Sequence, residues 1–576
     1  MVVGTQIPVD QLAHHGPSFA NPVITGLAAD PTVLRVGDDY FLCTSSFEFF
    51  PGVPVYHSKD LVSWKLIGHV LTRKSQLNLW AVHSGGGIFA PSLRFYKGRY
   101  YMTTANVFRT IAGAIEGDLT PRGFYVWTDN IWDSSSWSEP TFYDVRGIDQ
   151  DIFYDDKDDK FYLLCSRPTF KPGQYYSAET VICEIDITTG RSKTKPQTIR
   201  RSDCAIDVAE APHIFKRDGY YYLITAEGGT EDDHQEWVCR SSEGPLGPWE
   251  VGPVGSVNPM VHNTSNIDVR ATGHMDFVEG KDGQWWGVLL AIRPTATGTN
   301  KHDETKGTWS TSQLGRETFL CPVDWQDGWP VVNKRKPIGL EGPPGYGTLK
   351  APAKRVQERF TFAPGRDLYV DGWVHLRTPV AMFEYDMESR KGSIGLIGGP
   401  YTYRDDECVT MLLQKQTAFI GTWQCDIDLQ PDEAGLEAFT TAWWSRDAFA
   451  SVGVRATGSD GSKEVVFRKP RLTEEVVFDE ETRPIPTGSV IRARIKTDFS
   501  GWTMGYSVLD KSGSPTEWVD FEHVPTQLLV RDRVIDSNFI GTHLGIYASG
   551  IEHRAAMVPA YFSNVTWDCY PWEHPQ

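Results

Sequence analysis

Three acidic residues at well-separated positions are the side chains of this 576-residue chain best suited to chemistry. Asp30, Asp149 and Glu210 each lie at or next to the start of a short apolar run that is followed by a polar turn. Two carboxyl groups facing one pocket can do acid–base work, because one protonates a leaving oxygen while the other activates water. A single acid at such a position is more often a turn or capping residue, so this chemistry requires a fold that brings the three together.

The elements that would position these acids recur along the chain. Five segments share the order strand, polar turn, aromatic strand, and they start 60, 59, 62 and 63 residues apart, at Asp30, Ala90, Asp149, Ala211 and His274. A fixed period with one such unit per repeat indicates an array whose units bury their faces against one another. All-β units closed radially form a propeller. We therefore predict a five-bladed β-propeller over residues 1–335, with four strands per blade and residues 1 to about 20 as a surface strap.

In a propeller, the first strand of each blade lines the central channel. The first residues of the five repeats should then face one shared cavity. The residues predicted there are Asp30, Phe89 with Ala90, Asp149, Glu210 and His274.

The remainder of the chain predicts a second all-β domain. Residues 336–355 are rich in Gly and Pro, which marks a linker. Over residues 356–576, short apolar runs alternate with polar turns at modest spacing, which favours a β-sandwich. The predicted fold is thus a propeller followed by a β-sandwich of the concanavalin A-like jelly-roll type.

Composition narrows the classes of partner and compartment. The formal net charge of −18 disfavours a nucleic-acid backbone or an anionic membrane as partner. Aromatic residues make up 12% of the chain, which suits either β-rich packing or stacking against sugar rings. Nine irregularly spaced cysteines without a CxxC pair argue against a disulfide framework or a zinc site. Because no signal peptide is evident, we expect a cytoplasmic protein or, if a signal was removed, a secreted one. The oligomeric state stays open.

If the acids share a cavity, their roles differ. Asp149 would raise the pKa of Glu210 by like charge and so keep Glu210 protonated as the acid, which leaves Asp30 as the base. His274 could bind sugar hydroxyls or hold a central ion. We expect no required cofactor, and a structural Ca²⁺ in the channel, with His274 as its candidate ligand, is kept as a hypothesis. Arg316 follows the fifth repeat, where it either pairs with Asp30 or Asp149 or forms a surface ion pair.

Several segments, taken in order, resemble glycoside hydrolase family 43. These segments are AADPTV, TSSFEFFPGVPVYHSKDLVSW, GIDQDIFYDD, EAPHIFKRDGYYYLITAEGGT, TGHMDF and LGRETF. They are most similar to the β-xylosidase branch, which has bifunctional xylosidase/arabinofuranosidase members. The resemblance continues into the second domain, where WVHLRTP and NFIGTHLGIYASG match the carboxy-terminal domain of that branch.

By position, the resemblance implies that Asp30 is the general base, Glu210 the general acid, and Asp149 the residue that tunes the acid and orients the sugar. It also implies a subsite for the terminal sugar, lined by Phe47, His274 and Arg316, and closed by Phe539 from a sandwich loop.

The chain departs from the family pattern at two positions. Phe89 replaces the Trp that usually precedes Ala90 and the following Pro, which changes the wall of the terminal-sugar subsite. Gln150 replaces the usual Pro after the middle acid, a change that we expect to be mild.

The leading hypothesis is an exo-acting, inverting hydrolase that releases xylose, and arabinose as well, from xylo-oligosaccharides and arabinoxylan fragments. One alternative is an α-L-arabinofuranosidase that debranches arabinoxylan, which the Phe89 substitution keeps open. Another is a carbohydrate-binding propeller without catalysis, which would need aromatic residues but no placed acid–base pair.

Overall fold

The computed structural model describes residues 19–109, 119–169, 177–264, 268–299, 308–344, 346, 355–471, 476–530, 539–551 and 553–573. These residues form an almost entirely β structure, and the predicted surface strap lies mainly outside them. The helical elements among them are one α-helical turn, Thr526–Leu529, and three short 3₁₀ turns, Ser134–Ser136, Asn333–Arg335 and Met382–Glu384. In this described part of the chain, no helix is long and apolar enough to cross a membrane.

Five four-stranded antiparallel sheets, one for each sequence repeat, make up the first domain. Sheet 1 contains Thr32–Val36, Asp39–Cys43, Gly52–Ser58 and Lys65–Leu71. Sheet 2 contains Gly87–Tyr96, Arg99–Arg109, Leu119–Thr128 and Thr141–Phe142. Sheet 3 contains Ile148–Asp155, Lys160–Thr169, Ser177–Ile185 and Gln197–Arg201. Sheet 4 contains Ala209–Arg217, Tyr220–Glu227, Gln235–Ser241 and Glu250–Val251. Sheet 5 contains Arg270–Glu279, Trp285–Ile292, Glu317–Gln326 and Trp329–Val332, with a hairpin of Ala296–Thr299 and Thr308–Thr311 inserted after its second strand.

The five sheets close into a ring. The first strand of each sheet contacts the first strand of the next, and that of sheet 5 contacts that of sheet 1. Each pair of adjacent sheets buries its own apolar cluster, represented in order around the ring by Phe41 with Leu93, Tyr101 with Leu163, Leu164 with Leu223, Ile224 with Leu289, and Leu320 with Leu42. Burial of both faces of every sheet leaves the first strands around a common axis, as in a β-propeller.

The second domain is a sandwich of two antiparallel sheets. The larger sheet has the order Tyr385–Asp386, Ser393–Leu396, Ala560–Tyr570, Ile420–Leu429, Ile491–Asp498, Gly501–Val508 and Val519–Asp520, with Val356–Arg359 paired to Ala560–Tyr570 and Val524–Pro525 paired to Gly501–Val508. The smaller sheet has the order Thr410–Lys415, His543–Ser549, Glu437–Ser445, Ala448–Ala456, Lys463–Pro470 and Phe478–Ile485. Strand Ile491–Asp498 illustrates the pattern, because its apolar residues alternate with charged or polar ones and point to the buried face.

The two domains are joined by a short β-pair and by a common apolar cluster. Phe49–Phe50 of the propeller pairs with His375–Leu376 of the sandwich. The main apolar cluster of the sandwich extends into the propeller, where it includes Phe47, Phe89 and Ile148. Residues 336–344 of the predicted linker pack on the propeller, where Leu340 accepts a hydrogen bond from the Asn21 amide, and most of the remaining linker residues lie outside the described ranges.

Candidate active site

The backbone is irregular at or next to the first strand of most sheets, where the residues nearest the axis lie. Asp30, Asp149, Ala211 and His274 all have φ between 49° and 55°. The left-handed region is uncommon for residues other than Gly and costs about 1–3 kcal/mol at each position, so such residues concentrate where function requires them. The register also shifts within the first strands of sheets 2 to 5. These bulges turn the side chains of different sheets into one cavity.

Asp30 is buried and surrounded by hydrogen-bond donors. The Ser45 hydroxyl donates to Asp30 Oδ2 at 2.5 Å, and Arg316 Nη1 donates to Asp30 Oδ1 at 3.0 Å. His274 Nδ1 lies 3.5 Å from the same Oδ1. Burial by itself would raise the pKa of Asp30, but Arg316, His274 and Ser45 outweigh it and hold that pKa below its usual range. Asp30 is therefore an ionised carboxylate at neutral pH.

His274 itself carries no charge at neutral pH. Burial lowers the pKa of its imidazole to about 4, against the attraction of Asp30. The positive charge beside Asp30 therefore comes from Arg316, and His274 contributes a neutral ring nitrogen.

Glu210 and Asp149 behave in the opposite way to Asp30. Burial, followed by the charges of Asp149 and Asp30, raises the pKa of Glu210 well above its usual range. Burial and the charge of Asp30 raise the pKa of Asp149 to about 7. Asp149 also holds the strand that carries Glu210, because its Oδ2 accepts a hydrogen bond from the Ala211 amide at 3.0 Å. One cavity thus contains an ionised carboxylate and a carboxylic acid that keeps its proton.

An aromatic wall encloses one side of this cavity. Ring centroids of Phe47 and Phe89 are 5.6 Å apart, and Phe539 from the sandwich lies 6.4 Å from Phe47 and 5.9 Å from Phe89. Arg316 reaches across the domain boundary, since its Nη2 donates to the Phe539 carbonyl at 3.0 Å. Its guanidinium also lies against the rings of Phe47 and Phe539, at 5.5 and 5.3 Å from their centroids.

The close approach of the two domains here requires a glycine. Gly315 has φ +71°, and a Cβ at this position would meet the Ile540 carbonyl at 2.5 Å. The Thr542 amide donates to the Gln313 carbonyl at 3.0 Å beside this contact. The segments around Arg316 and Phe539 are therefore packed backbone to backbone.

Below the pocket, the channel is filled by an ion-pair network. Arg94 donates to Asp276 and Asp151, both at 2.8 Å, and lies 2.8 Å from His213 Nδ1. Thr32 donates to Asp276 at 2.7 Å, so each of the five first strands contributes one residue to the network. The carboxylates that could bind a channel Ca²⁺ thus contact a guanidinium instead, and they do not offer calcium the oxygen-only ligand set it requires. Within the described residues, no group of three or more His, Cys, Asp or Glu is arranged to hold a metal ion.

Comparison with known proteins places this chain in a family. A family model described as glycosyl hydrolases family 43 matches residues 19–330, more than half of the chain. The chain belongs to glycoside hydrolase family 43. A second model, for the β-xylosidase C-terminal concanavalin A-like domain, matches residues 367–568. This family 43 protein is therefore a glycosidase, and the predicted fold, a propeller followed by a concanavalin A-like sandwich, is confirmed.

Relatives with different names are similar to this family 43 protein over most of its length. It is 31% identical to a non-reducing end α-L-arabinofuranosidase of Bacteroides ovatus, with 96% of this chain and 95% of the relative covered. It is 32% identical to a xylan 1,3-β-xylosidase of a Vibrio species, with 86% and 90% covered. The crystal structure of a xylan β-1,4-xylosidase from Bacillus halodurans superposes with a TM-score of 0.80 at 25% identity, covering 96% of this chain and 100% of that one.

The structure brings the predicted site residues of this family 43 protein together. Asp30, Asp149, Glu210, His274 and Arg316 lie within interaction distance of one another, and the rings of Phe47, Phe89 and Phe539 pack beside them. Ala90 lies buried in the bulge of sheet 2 next to Phe89. Of the alternatives considered for Arg316, which were Asp30, Asp149 or a surface ion pair, the structure shows the ion pair with Asp30.

Sequence reasoning missed three residues that complete the site. Ser45 holds Asp30, and the Thr230 hydroxyl accepts a hydrogen bond from Arg316 Nη1 at 3.2 Å. His234 is buried beside His274, with its ring against the backbone of Gly273. Ser45 and Thr230 lie inside the segments that carried the family resemblance, which was the available signal for both.

Proposed function

We propose that this protein is an exo-acting, inverting glycoside hydrolase that releases xylose, and arabinose as well, from xylo-oligosaccharides and arabinoxylan fragments. The observation that carries the proposal is the unequal setting of two buried carboxyl groups. Asp30 accepts hydrogen bonds from Arg316 and Ser45, which lower its pKa, whereas Glu210 is buried beside Asp149 and Asp30, which raise its pKa. Single-step, inverting hydrolysis of a glycosidic bond needs a base and an acid at once, on opposite sides of the reacting carbon.

In the proposed reaction, Asp30 takes a proton from a water molecule as the water oxygen bonds to the anomeric carbon. The bond from that carbon to the glycosidic oxygen breaks, and Glu210 gives its proton to the departing oxygen. Asp149 keeps Glu210 protonated until this step and fixes the backbone beside it through the Ala211 amide. Attack by water from the opposite side inverts the anomeric centre, which requires the two carboxyl groups to be about 6.5–9.5 Å apart.

The aromatic wall supports exo action. Phe539 and Arg316 join the sandwich to the pocket at the side where Phe47 and Phe89 lie. A pocket closed on one side accepts the terminal sugar of a chain and excludes its interior. The three rings and neutral His274 offer that sugar an apolar face and a hydrogen-bonding edge.

The proposal is tested by incubating the protein with xylobiose and following the first-formed sugar by proton NMR. The expected product of a β-xylosidic bond is α-xylose, which then equilibrates. Initial appearance of β-xylose would contradict the inverting mechanism, and absence of any cleavage of xylobiose would contradict the xylosidase activity.

A second candidate is an α-L-arabinofuranosidase that debranches arabinoxylan. Phe89, where family members usually have Trp, favours it, because a smaller ring changes the pocket wall on which the terminal sugar packs. The name of the Bacteroides ovatus relative is consistent with this candidate. The ratio of kcat/KM for xylobiose to that for an arabinofuranosyl-substituted xylotriose discriminates between the two, and Phe89→Trp should shift the ratio towards xylobiose.

A further inference from the structure

We infer that the rim of the pocket on sheet 3 recognises a carboxylate on the substrate, so that this enzyme prefers xylo-oligosaccharides carrying a uronic acid next to the bond it cleaves. The inference rests on the proposed function and adds a substrate class to it. Three arginines carry it, Arg146, Arg167 and Arg201, together with Glu179.

The backbone places these arginines beside the catalytic acids. Ser166 pairs with Ile148, which precedes Asp149, and the Ser166 hydroxyl donates to the carbonyl of Ala209, which precedes Glu210, at 3.2 Å. Arg167 is the next residue along that strand. Successive residues of a strand point to opposite faces, so Arg167 lies on the face of sheet 3 that Cys165 presents to sheet 2, at the same end of the sheet as the two acids.

Arg167 belongs to a row that crosses the sheet at its pocket end. Arg167 pairs with Glu179, and Glu179 pairs with Arg201. Arg146 lies two residues before strand Ile148–Asp155, at the same end of the sheet, and is exposed. The row therefore forms part of the rim on which a substrate extending out of the pocket would rest.

The rim carries charges of both signs, because Asp144 lies two residues before Arg146 and the Asp207 carbonyl accepts a hydrogen bond from the amide of Ala178, next to Glu179. The guanidinium groups of Arg167 and Arg201 share one carboxylate, that of Glu179, which is buried with 5% of its side chain exposed. Glu179 Oε1 accepts from Arg167 at 2.5 Å, and its Oε2 accepts from Arg201 Nη2 at 2.9 Å. The two arginine side chains remain 41% and 67% exposed.

The buried Glu179 acts as a support that orients both guanidinium groups. An Arg side chain has five donor hydrogens in a fixed plane, and the pairing with Glu179 engages only some of them. Oriented guanidinium groups bind a carboxylate by paired, charge-assisted hydrogen bonds, which neutral sugar hydroxyls match less well. The anion that fits on a xylan-type chain is the carboxylate of a uronic acid branch. The terminal sugar fills the pocket, so the branch must be on the leaving-group side.

The test compares two substrates that differ in one group. The first is xylobiose with glucuronic acid on its reducing-end xylose, and the second is the same trisaccharide after the carboxyl group has been reduced to an alcohol. We expect the wild-type enzyme at low salt to favour the acid by about tenfold in kcat/KM, a difference of about 1.4 kcal/mol. In about 0.5 M NaCl the preference should shrink, since exposed charges are screened.

Substitutions of single arginines test which residues produce the preference for the acid, measured as the acid-to-alcohol ratio of kcat/KM. Arg167→Gln and Arg201→Gln should each lower the acid-to-alcohol ratio severalfold, and Arg201→Lys should keep part of the ratio because it keeps the charge. Arg35→Gln is the matched control, because Arg35 lies in the first strand of sheet 1 near the end away from the pocket, and its loss removes the same charge. The acid-to-alcohol ratio of kcat/KM for Arg35→Gln should equal that of the wild-type enzyme.

The outcomes separate this inference from the proposed function. If the wild-type enzyme cleaves the neutral trisaccharide but shows no preference for the acid, the rim only holds the sheet together and the inference is wrong. The same conclusion follows if Arg35→Gln lowers the ratio as much as Arg201→Gln does. If the wild-type enzyme cleaves neither trisaccharide nor xylobiose, the proposed function fails.

Discussion

The propeller and the sandwich bury their apolar side chains in different ways. The sandwich has one large cluster, with aromatic residues such as Trp423, Trp443 and Phe562 between its two sheets. The propeller divides its apolar side chains among five smaller clusters, each between two neighbouring sheets. The axis of the propeller, where a single core would otherwise lie, contains ion pairs and acids.

This difference shows where a β protein can accommodate chemistry. The propeller is stabilised by apolar side chains packed between neighbouring sheets. Its axis can therefore hold the strained backbone of Asp30 and Asp149 and several buried charges. The sandwich has no such axis, and what it gives the site is a wall, since its cluster reaches Phe47 and Phe89 beneath Phe539. Substitutions at the axis should therefore change activity, and substitutions in the sandwich core should change stability.

The largest expected effect is at the axis. Glu210→Ala should slow xylobiose hydrolysis by about 10²–10⁴-fold, or about 3–5 kcal/mol of barrier, because the departing alcohol needs a proton. A dinitrophenyl xyloside leaves as a stable phenolate and should be affected much less. Rates on both substrates, with the melting temperature as a control, test the comparison. Equal losses on both substrates would mean that Glu210 is not the acid, and a large fall in melting temperature would mean that the axis also determines stability.

In the sandwich core the expected effect is on stability. Phe562 is completely buried, and Phe562→Ala should lower the free energy of unfolding by about 3–5 kcal/mol through loss of burial and creation of a cavity. Urea unfolding measures this change, and kcat per folded molecule should stay near the wild-type value. Lys511→Ala, in an exposed turn, is the control. A fall in kcat without a fall in stability would contradict the division of roles.

Phe539 lies where the two regions meet and should show a smaller, mixed effect. Phe539→Ala removes the ring from the pocket wall but keeps the main-chain carbonyl that accepts from Arg316. We expect kcat/KM for xylobiose to fall about three- to tenfold, which corresponds to the loss of one aromatic contact. Steady-state kinetics measure this loss. An unchanged kcat/KM would mean that the sandwich only stabilises the propeller.

The pH profile tests the electrostatics of the axis. Glu210 must be protonated to act, so its raised pKa sets the alkaline limit of activity, and Asp30, with its lowered pKa, sets the acid limit. Asp149→Asn removes a like charge beside Glu210 and therefore lowers the pKa of Glu210, so the alkaline limb should move to lower pH while the acid limb changes less. The asparagine oxygen can still accept the Ala211 amide, which limits structural damage. A shift of the alkaline limb to higher pH would contradict the role of Asp149.

The smallest expected effect is that of removing divalent metal. Because Arg94 occupies the centre of the channel and pairs with Asp151 and Asp276, we propose that no calcium is needed there. Treatment with EDTA should leave both the melting temperature and kcat unchanged. A fall in either that is restored by Ca²⁺ would support the calcium hypothesis instead.

The amino-acid sequence by itself determined the repeat and its consequence. A period of about 60 residues with one strand–turn–strand unit per repeat predicted five equivalent sheets, because such units cannot bury their faces alone. The number of strands per sheet and the position of Asp30, Asp149, Glu210 and His274 at the axis followed from that symmetry. Alternation of apolar and polar residues was enough to predict the sandwich.

Only the tertiary structure decided how the acids differ. The pKa of Asp30 is lowered by Arg316, 286 residues away, together with His274 and Ser45, whereas that of Glu210 is raised by burial beside Asp149 and Asp30. The left-handed backbone at Asp149 and His274, the contact of Gly315 with Ile540, and the filling of the channel by Arg94 also depend on partners distant in the chain. Periodicity reports which side chains share a face, whereas charge, burial and strain depend on what the rest of the fold places opposite them.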